Sequence, residues 1–514
     1  MSTSWRFCSR TVTLFLALNV SANVHVHAQW YVEERVPPYL SSFAWADLYR
    51  GASNSIYIVG LADTVTRRLF EDEDGFRVLF YARKDSFPLS QPIGILDTGT
   101  YHSFTFGGDY YSFNSDVAID QDDNAYIFYS KQRVFWSDVP PPSYLRPRVR
   151  AIRKLAGGFE TMFEIQGGLN PKTAAGHNNT VHFVWESVTP NRRDSNYYFY
   201  KSGIYYRYRS PSGTLSTPQF MDSGFSPRVV VDDQDTVHLF WLKADSSSSP
   251  TFSLRCTKRF GDTVYPLVTL KDTISTPTGL SWFVDNTSTR HVGWTEKRGY
   301  PQMKFFHLQY QEGSVAIDSS QSYPSWGSWA RFALGLNNKI HAAWAVYENS
   351  TRWVLYYSSN ERTPLFSSTR IFRSMLYANP LVLFSSSTGV AKSVLSDGAV
   401  KYLRNMQNGP DSLLSGPSPG YIPYGSTKPA IIDNQDRVWV AYTKHPPGNP
   451  YDYEIWLLRF LERPTGVNEQ GETALQFSLA QNYPNPFNPS TRIQFTLPFP
   501  STNIAKGRAR EGSL

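Results

Sequence analysis

This chain of 514 residues predicts an all-β fold assembled from repeated four-stranded units. Composition points there first: aromatic residues make up 15% and charged residues only 18%, with 32 Tyr, 33 Phe and no long Ala/Leu/Glu/Lys run, a balance that suits strands. A period points there second. "SDVAIDQDDNAYIFYS" (115–130), "GHNNTVHFVWES" (176–187), "SPRVVVDDQDTVHLFWL" (226–242), "LSWFVDNTSTRHVGWTE" (280–296), "FALGLNNKIHAAWAV" (332–346) and "KPAIIDNQDRVWVAYT" (428–443) share one pattern. Each joins a short apolar strand, through a polar turn, to a second strand ending in an aromatic. The aligned aromatics are Tyr129, Trp185, Trp241, Trp294, Trp344 and Tyr442, and the first four steps are 56, 56, 53 and 50 residues. The last gap is filled by a degenerate copy, "NPLVLFSSSTGVAKSVLSDG" (379–398), and "SFAWADLYRGASNSIYIVGL" (42–61) is an earlier one.

Such a period with several strands per unit belongs to propeller blades. "GIYYRYRSPSGTLSTPQFMD" (203–222) reads as two further strands around a Ser/Gly turn, giving four per blade. The last unit offers only three, "AIID", "VWVAYT" and "EIWLLRFLE". "QWYVEERV" (29–36) can supply the fourth from the other end of the chain and close the ring. A seven- or eight-bladed β-propeller over 29–462 is expected, the degenerate unit deciding the number.

The first 28 residues have the layout of a secretory signal peptide: Arg6 and Arg10, an apolar stretch over Val12–Val20, and Ala28 before Gln29. The apolar stretch is too short to span a bilayer, and no later segment reaches about 18 apolar residues, so no membrane span is expected. Its removal leaves Cys256 as the single cysteine, and the body must be held by burial rather than by a disulfide. Part of the net charge of +7 lies in the leader and the last nine residues. The body is close to neutral for its size, which gives no reason to expect a nucleic acid partner. An exported monomer, extracellular or on the outer-membrane surface, is expected.

Candidate chemistry was sought along the repeats. Four blades share His-x-x-Trp: His182/Trp185, His238/Trp241, His291/Trp294 and His341/Trp344. Zinc needs its ligand nitrogens within roughly 3.5 Å of one another, and equivalent positions on successive blades lie farther apart, so packing between blades is the better account. "DQDDNA" from Asp120 is spaced like a calcium loop but lacks the Gly at position six and the Glu at position twelve. It reads as a hairpin turn, as do "DDQDT" (232–236) and "DNQDR" (433–437). No metal and no cofactor are expected. Glu186 and Glu296 follow blade aromatics and are the candidates for a glycosidase carboxylate pair, which needs about 5–5.5 Å separation in retaining enzymes. No Gly-x-Ser-x-Gly, P-loop or dinucleotide fingerprint occurs. "SNYYFYKSGIYYRYRS" (195–210) is tyrosine-dense, and its rings either pack between blades or form a platform for sugars.

The repeats over about 40–460 resemble the sialidase-like and Asp-box propellers in pattern. The nearest match to the Asp box, "RSPSGTLSTP" (209–218), keeps Ser210 and Gly213 but lacks the Asp and the Trp, and no Phe/Tyr-Arg-Ile-Pro signature occurs. The resemblance implies the fold and not sialidase activity.

Near the C-terminus, "SLAQNYPNPFNPSTRIQFTLP" (478–498) places Pro484, Pro486 and Pro489 among Asn482, Asn485 and Asn488. Fixed φ angles and Asx turns make this a rigid extended ribbon, and Ile493, Phe495 and Leu497 then alternate as a half-buried strand. The run Asn482, Tyr483, Pro484, Asn485, Pro486, Phe487, Asn488, Pro489, Ser490 and Thr491 resembles the start of the type A C-terminal sorting domain of the type IX secretion system. That resemblance implies export through the inner membrane, recognition by the type IX machinery, and release or anchoring at the surface. After Pro498 the chain departs from the family, whose small β-sandwich continues, and reads "FPSTNIAKGRAREGSL". The sorting segment (475–514, joined by a linker at 463–474) is therefore short and incomplete. For the propeller the leading expectation is binding of a glycan or a surface protein without catalysis. The alternative is a polysaccharide hydrolase or lyase with its site in the central funnel. Asp/Glu and Arg gathered at the funnel favour the alternative, and an aromatic-lined rim favours binding.

Overall fold

The computed structural model describes residues 31–460 with breaks at 37–43, 70–71, 85–93, 105–106, 136–146, 156–157, 189–201, 246–250, 276, 298–301, 324–329, 349–351, 361–364, 367–369, 376–381, 397–398, 408–412, 416–419, 424–426 and 447–452. The leader, the linker and the sorting residues Asn482–Thr491 lie outside the described residues.

Eight blades form the ring, so the degenerate unit counts. Their innermost strands are Ala44–Arg50, Gly107–Ile119, Gly168–Ala175, Phe225–Val231, Pro277–Val284, Arg331–Leu334, Val382–Ser385 and Ala430–Ile432. Each starts a four-stranded antiparallel blade. Blades 1 and 2 run on as one eight-stranded sheet, and blade 4 carries an extra short strand at Thr263–Val264. Every innermost strand adjoins that of the next blade, and the eighth adjoins the first. Blade 8 takes its outermost strand from the N-terminus, Tyr31–Arg35, which pairs with Glu454–Phe460 in the register Tyr31↔Phe460 to Arg35↔Trp456. Pairing of residues from the two ends of the chain completes blade 8 and closes the ring.

The repeat aromatics sit where blades stack. Trp185, Trp241, Trp294 and Trp344 are fully buried, each within a cluster of its own. In blade 1 the equivalent position is Gly60, and the Phe80 ring occupies the space, 2.3 Å from where a Cβ would stand. The tyrosines of 202–210 pack rather than line a platform. Tyr206 is buried, Tyr205 stacks on Trp185 with ring centroids 5.9 Å apart, and Tyr208 lies under the Arg259 guanidinium.

The acidic turns carry a repeated device. The first turn residue caps its own hairpin: Asp120 Oδ1 accepts the backbone N–H of Asp122 and Asn124, and Asp232, Asp285 and Asp433 do the same two and four residues on. The fourth turn residue is left-handed in every blade: Asn54, Asp123, Asn179, Asp235, Ser288, Asn338, Gly389 and Asp436, with φ from 57° to 78°. Asn, Asp and Gly tolerate that conformation best. Its side chain then accepts a backbone N–H from the preceding blade. Gln121 donates to Asn179 at 2.8 Å, His177 to Asp235 at 2.6 Å, Asn286 to Asn338 at 3.3 Å, Ser387 to Asp436 at 2.7 Å and Asn434 to Asn54 at 3.0 Å. Ser53 donates to Asp123 in the same way. Between blades 4 and 5 the direction reverses, Ser288 Oγ donating to Asp232, and between blades 6 and 7 Gly389 has no side chain to offer. The hairpin-turn reading holds, and the turns also form a belt around one face of the ring.

The four histidines are buried, and most of their hydrogen-bond partners lie within their own blades. His182 and His341 pair with the hydroxyls of Tyr206 and Tyr357, and His291 with Asp285 and His307. His238, bonded to Asp232, also reaches the next blade, where Arg290 donates to it. Among the described residues no three His, Cys, Asp or Glu side chains gather as metal ligands, and no helix is long and apolar enough to cross a membrane.

Candidate functional site

One position of the repeat breaks the uniformity of the turns. Four residues before each turn, on the innermost strand, stand Asp47, Asp116, Lys172, Arg228, Ser281, Arg331, Val382 and Pro429 in blades 1 to 8. A ninth group, Lys428, precedes Pro429. Charges on blades that do not touch therefore meet at the axis. Asp116 of blade 2 is 2.9 Å from Lys428 Nζ of blade 8, whose ammonium lies 4.6 Å above the Tyr49 ring of blade 1.

The backbone is bent to aim them. In blades 3, 4 and 5 the strand register shifts just before this position, between Leu169 and Lys172, Phe225 and Arg228, and Thr278 and Ser281. Left-handed residues sit in those bulges: Asn170 at φ 47°, Ser226 at φ 54° and Gly279 at φ 63°. A bulge re-aims the side chains beyond it, and non-glycine residues at positive φ cost energy that the surroundings must supply. Glu186 supplies it for two of them. Its Oε2 accepts from Asn170 Nδ2 at 2.8 Å and from the Ser226 N–H at 3.3 Å, tying the bulge of blade 3 to that of blade 4. Burial raises the Glu186 pKa, opposed by these donors.

The two axial carboxylates are already engaged. Asp47 accepts from the backbone of Thr427 and Lys428, both at 2.8 Å, and from Thr427 Oγ1 at 2.7 Å. Asp116 accepts from Lys428 and from the Thr173 N–H at 3.2 Å. Burial would raise the Asp116 pKa, but Lys428 and Lys172 outweigh it and hold the carboxyl below its usual value. Burial acts on the cations in the opposite sense. Lys172 is pushed down to about 7, chiefly by burial and then by Arg228. Burial also lowers Arg228, and it lowers Arg331, which additionally feels the repulsion of Arg228. Tyr49 beside them is raised by burial and by Asp116. Among the described residues, the four cations Lys172, Arg228, Arg331 and Lys428 thus stand near two acids, Asp47 and Asp116, that are already hydrogen-bonded.

Glu186 and Glu296, the carboxylates singled out in the sequence, stand on blades 3 and 5. Glu186 clamps bulges, and Glu296 accepts from Trp294 Nε1 at 2.9 Å in blade 5. None of the axial charges stood out in the linear sequence. They emerge when the repeats are aligned on the turns and the fourth residue before each is read across.

No family model matches the chain, and no curated protein matches it. Among solved structures it is similar to a protein of unknown function from Dyadobacter fermentans, at 9% identity and TM-score 0.37, covering 68% of this chain and 95% of that one. It is similar to the polysaccharide lyase Uly1, at 9% and 0.37, covering 65% and 88%. It is also similar to the Hadza microbial sialidase Hz136, at 11% and 0.33, covering 82% and 95%. At such low identity and TM-score, the eight-bladed ring rests on the strand pairing of this chain itself.

Proposed function

We propose that the protein is an exported β-propeller that binds an acidic glycan, its carboxylate or sulfate groups entering the axial channel against Lys172, Arg228 and Arg331. The observation that carries this reading is the convergence of these cations, from blades 3, 4 and 6, on one axis whose own acids are spent on Lys428, Thr427 and Thr173. Cations gathered in a channel with low-dielectric walls draw in anions. Export belongs to the same reading: the leader and the "QNYPNPFNPST" ribbon support delivery to the cell surface by the type IX machinery.

Binding without turnover is the first reading, because neither axial carboxylate is free to act as a hydrolase acid. A lyase is the second, favoured by one observation. Burial and Arg228 push Lys172 down to about 7, toward the neutral form that accepts a proton, and Arg228 and Arg331 stand near it to hold a substrate carboxylate. In that elimination Lys172 takes the proton α to the uronate carboxylate. The C–H pair becomes the new C=C bond, and the glycosidic C–O bond breaks onto the leaving oxygen. The full chain on an array of neutral and acidic glycans is expected to retain the acidic ones, less strongly as salt rises. Retention of neutral glycans alone contradicts the proposal. Appearance of the ultraviolet absorbance of an unsaturated uronate on the retained glycans decides for the lyase.

A further inference from the structure

A cavity lies away from the axis, between blades 4 and 5 on the face that carries the belt of turns. It is a cleft of about 470 Å³, lined by His238, Lys258, Tyr265, Arg290, Tyr310 and Glu312 among others. That volume is in the range of small-molecule sites. Its floor is a buried cation. Arg290 is 5% exposed, its Nε donates to His238 Nδ1 at 2.9 Å, and its Nη1 lies 3.1 Å from Cys256 Sγ. Both partners are neutral. Accepting at Nδ1 places the His238 proton on Nε2, which faces Asp232 at 2.9 Å, and burial keeps the ring pKa down at about 4. The Cys256 thiol is pushed up by burial.

The neighbouring junctions show what is missing here. In blades 3 and 4 the arginine near this place stands on the third strand, as Arg209 and Arg259, and each is satisfied locally. Arg209 donates to Tyr126 Oη and the Ser210 carbonyl, and Arg259 to the Gly261 carbonyl and the Asp262 carboxylate. In blade 5 the third-strand position opposite Arg290 is Tyr310, and the arginine comes from the second strand instead. Its guanidinium lies 5.2 Å from the Tyr310 ring centroid. A second cation, half-buried Lys258, sits 4.7 Å over the Tyr265 ring on the opposite wall. No carboxylate among the described residues pairs with either cation, and Glu312 is the acid lining the cleft. A buried cation without a counter-ion is costly, and an anion entering between the two offsets that cost.

We propose that this cleft is a second ligand site, taking a single small organic carboxylate of the size of one acidic sugar residue, held by Lys258 and Arg290 between the two tyrosines. The site is independent of the axial channel, since it lies on other residues of blades 4 and 5 and shares none of the axial charges.

Titration of glucuronate into the full chain tests it, with glucose as the uncharged control and melting temperature as the check on folding. Glucuronate is expected to bind and glucose not. Lys258→Ala is expected to weaken one glucuronate site at least tenfold without moving the melting temperature, and Lys258→Arg to restore it. Arg331→Ala, which alters only the channel, is expected to leave that site as it is. Equal binding of glucose, undiminished glucuronate binding by a folded Lys258→Ala variant, or loss of all glucuronate binding in Arg331→Ala each overturns the proposal.

Discussion

The belt of turns and the axial ring are both made from one repeated position in each of eight blades, yet they follow opposite rules. Around the belt the residues are nearly interchangeable: Asn54, Asp123, Asn179, Asp235, Ser288, Asn338, Gly389 and Asp436 share one backbone conformation. Six of the eight accept a backbone N–H from the blade before. At the axis the equivalent residues are Asp47, Asp116, Lys172, Arg228, Ser281, Arg331, Val382 and Pro429, and no two adjacent junctions are alike. Uniformity across repeats marks what the ring needs in order to close. Departure from uniformity, with bulges at Asn170 and Ser226 and several buried cations, marks a position released from that duty, and the proposed ligand site lies there.

The comparison can be broken most severely at the uniform positions. Trp344→Ala empties a fully buried site whose indole nitrogen has no hydrogen-bond partner, so the loss is one of packing. A destabilisation of about 3–5 kcal/mol is expected in denaturant unfolding. Removal of one belt bond is smaller. Asp235→Ala deletes the acceptor of the His177 N–H and puts Ala at φ 60°, and about 1–2 kcal/mol should be lost. A loss below about 0.3 kcal/mol would reduce the belt to ornament. The converse substitution sharpens the point. Gly389→Asn, at φ 78° and with its new Cβ 3.4 Å from Leu336, gives the junction of blades 6 and 7 the acceptor it lacks. A gain of about 0.5 kcal/mol is expected.

The axial ring responds to pH instead. Lys172 falls from 10.5 to about 7 on folding, so between those values the unfolded chain binds the extra proton and stability rises with pH. Anion binding runs the other way, weakening as pH climbs through about 7 and the ammonium is lost. Lys172→Met is expected to abolish both trends together. Opposite slopes from one residue separate a binding role from a structural one, since a merely structural lysine would move stability alone.

Much of the ring was legible in the sequence because burial and turn chemistry repeat. The blade aromatics, the Asx turns and closure by residues 29–36 all leave a period or a pattern. Blade number waited on the unit at 379–398, where Leu395 replaces the aromatic and only the strand pairing shows a blade. The axial site was not legible along the line because its members are about 50 residues apart and carry no common residue type. They meet only because the ring turns each innermost strand toward one axis. Glu186 shows the same limit: a candidate for a carboxylate pair in the sequence, it clamps two bulges in the structure, a role set by Asn170 and Ser226 that no spacing displays.

The most direct test of the axial site is titration of an oligouronate into the full chain and into folded Arg228→Ala and Arg331→Ala variants, at low and moderate salt. The account predicts salt-sensitive binding by the unaltered chain and at least a tenfold loss in each variant, about 1.4 kcal/mol, with melting temperatures no lower than before. Undiminished affinity in both variants, or no binding by the unaltered chain, would contradict it.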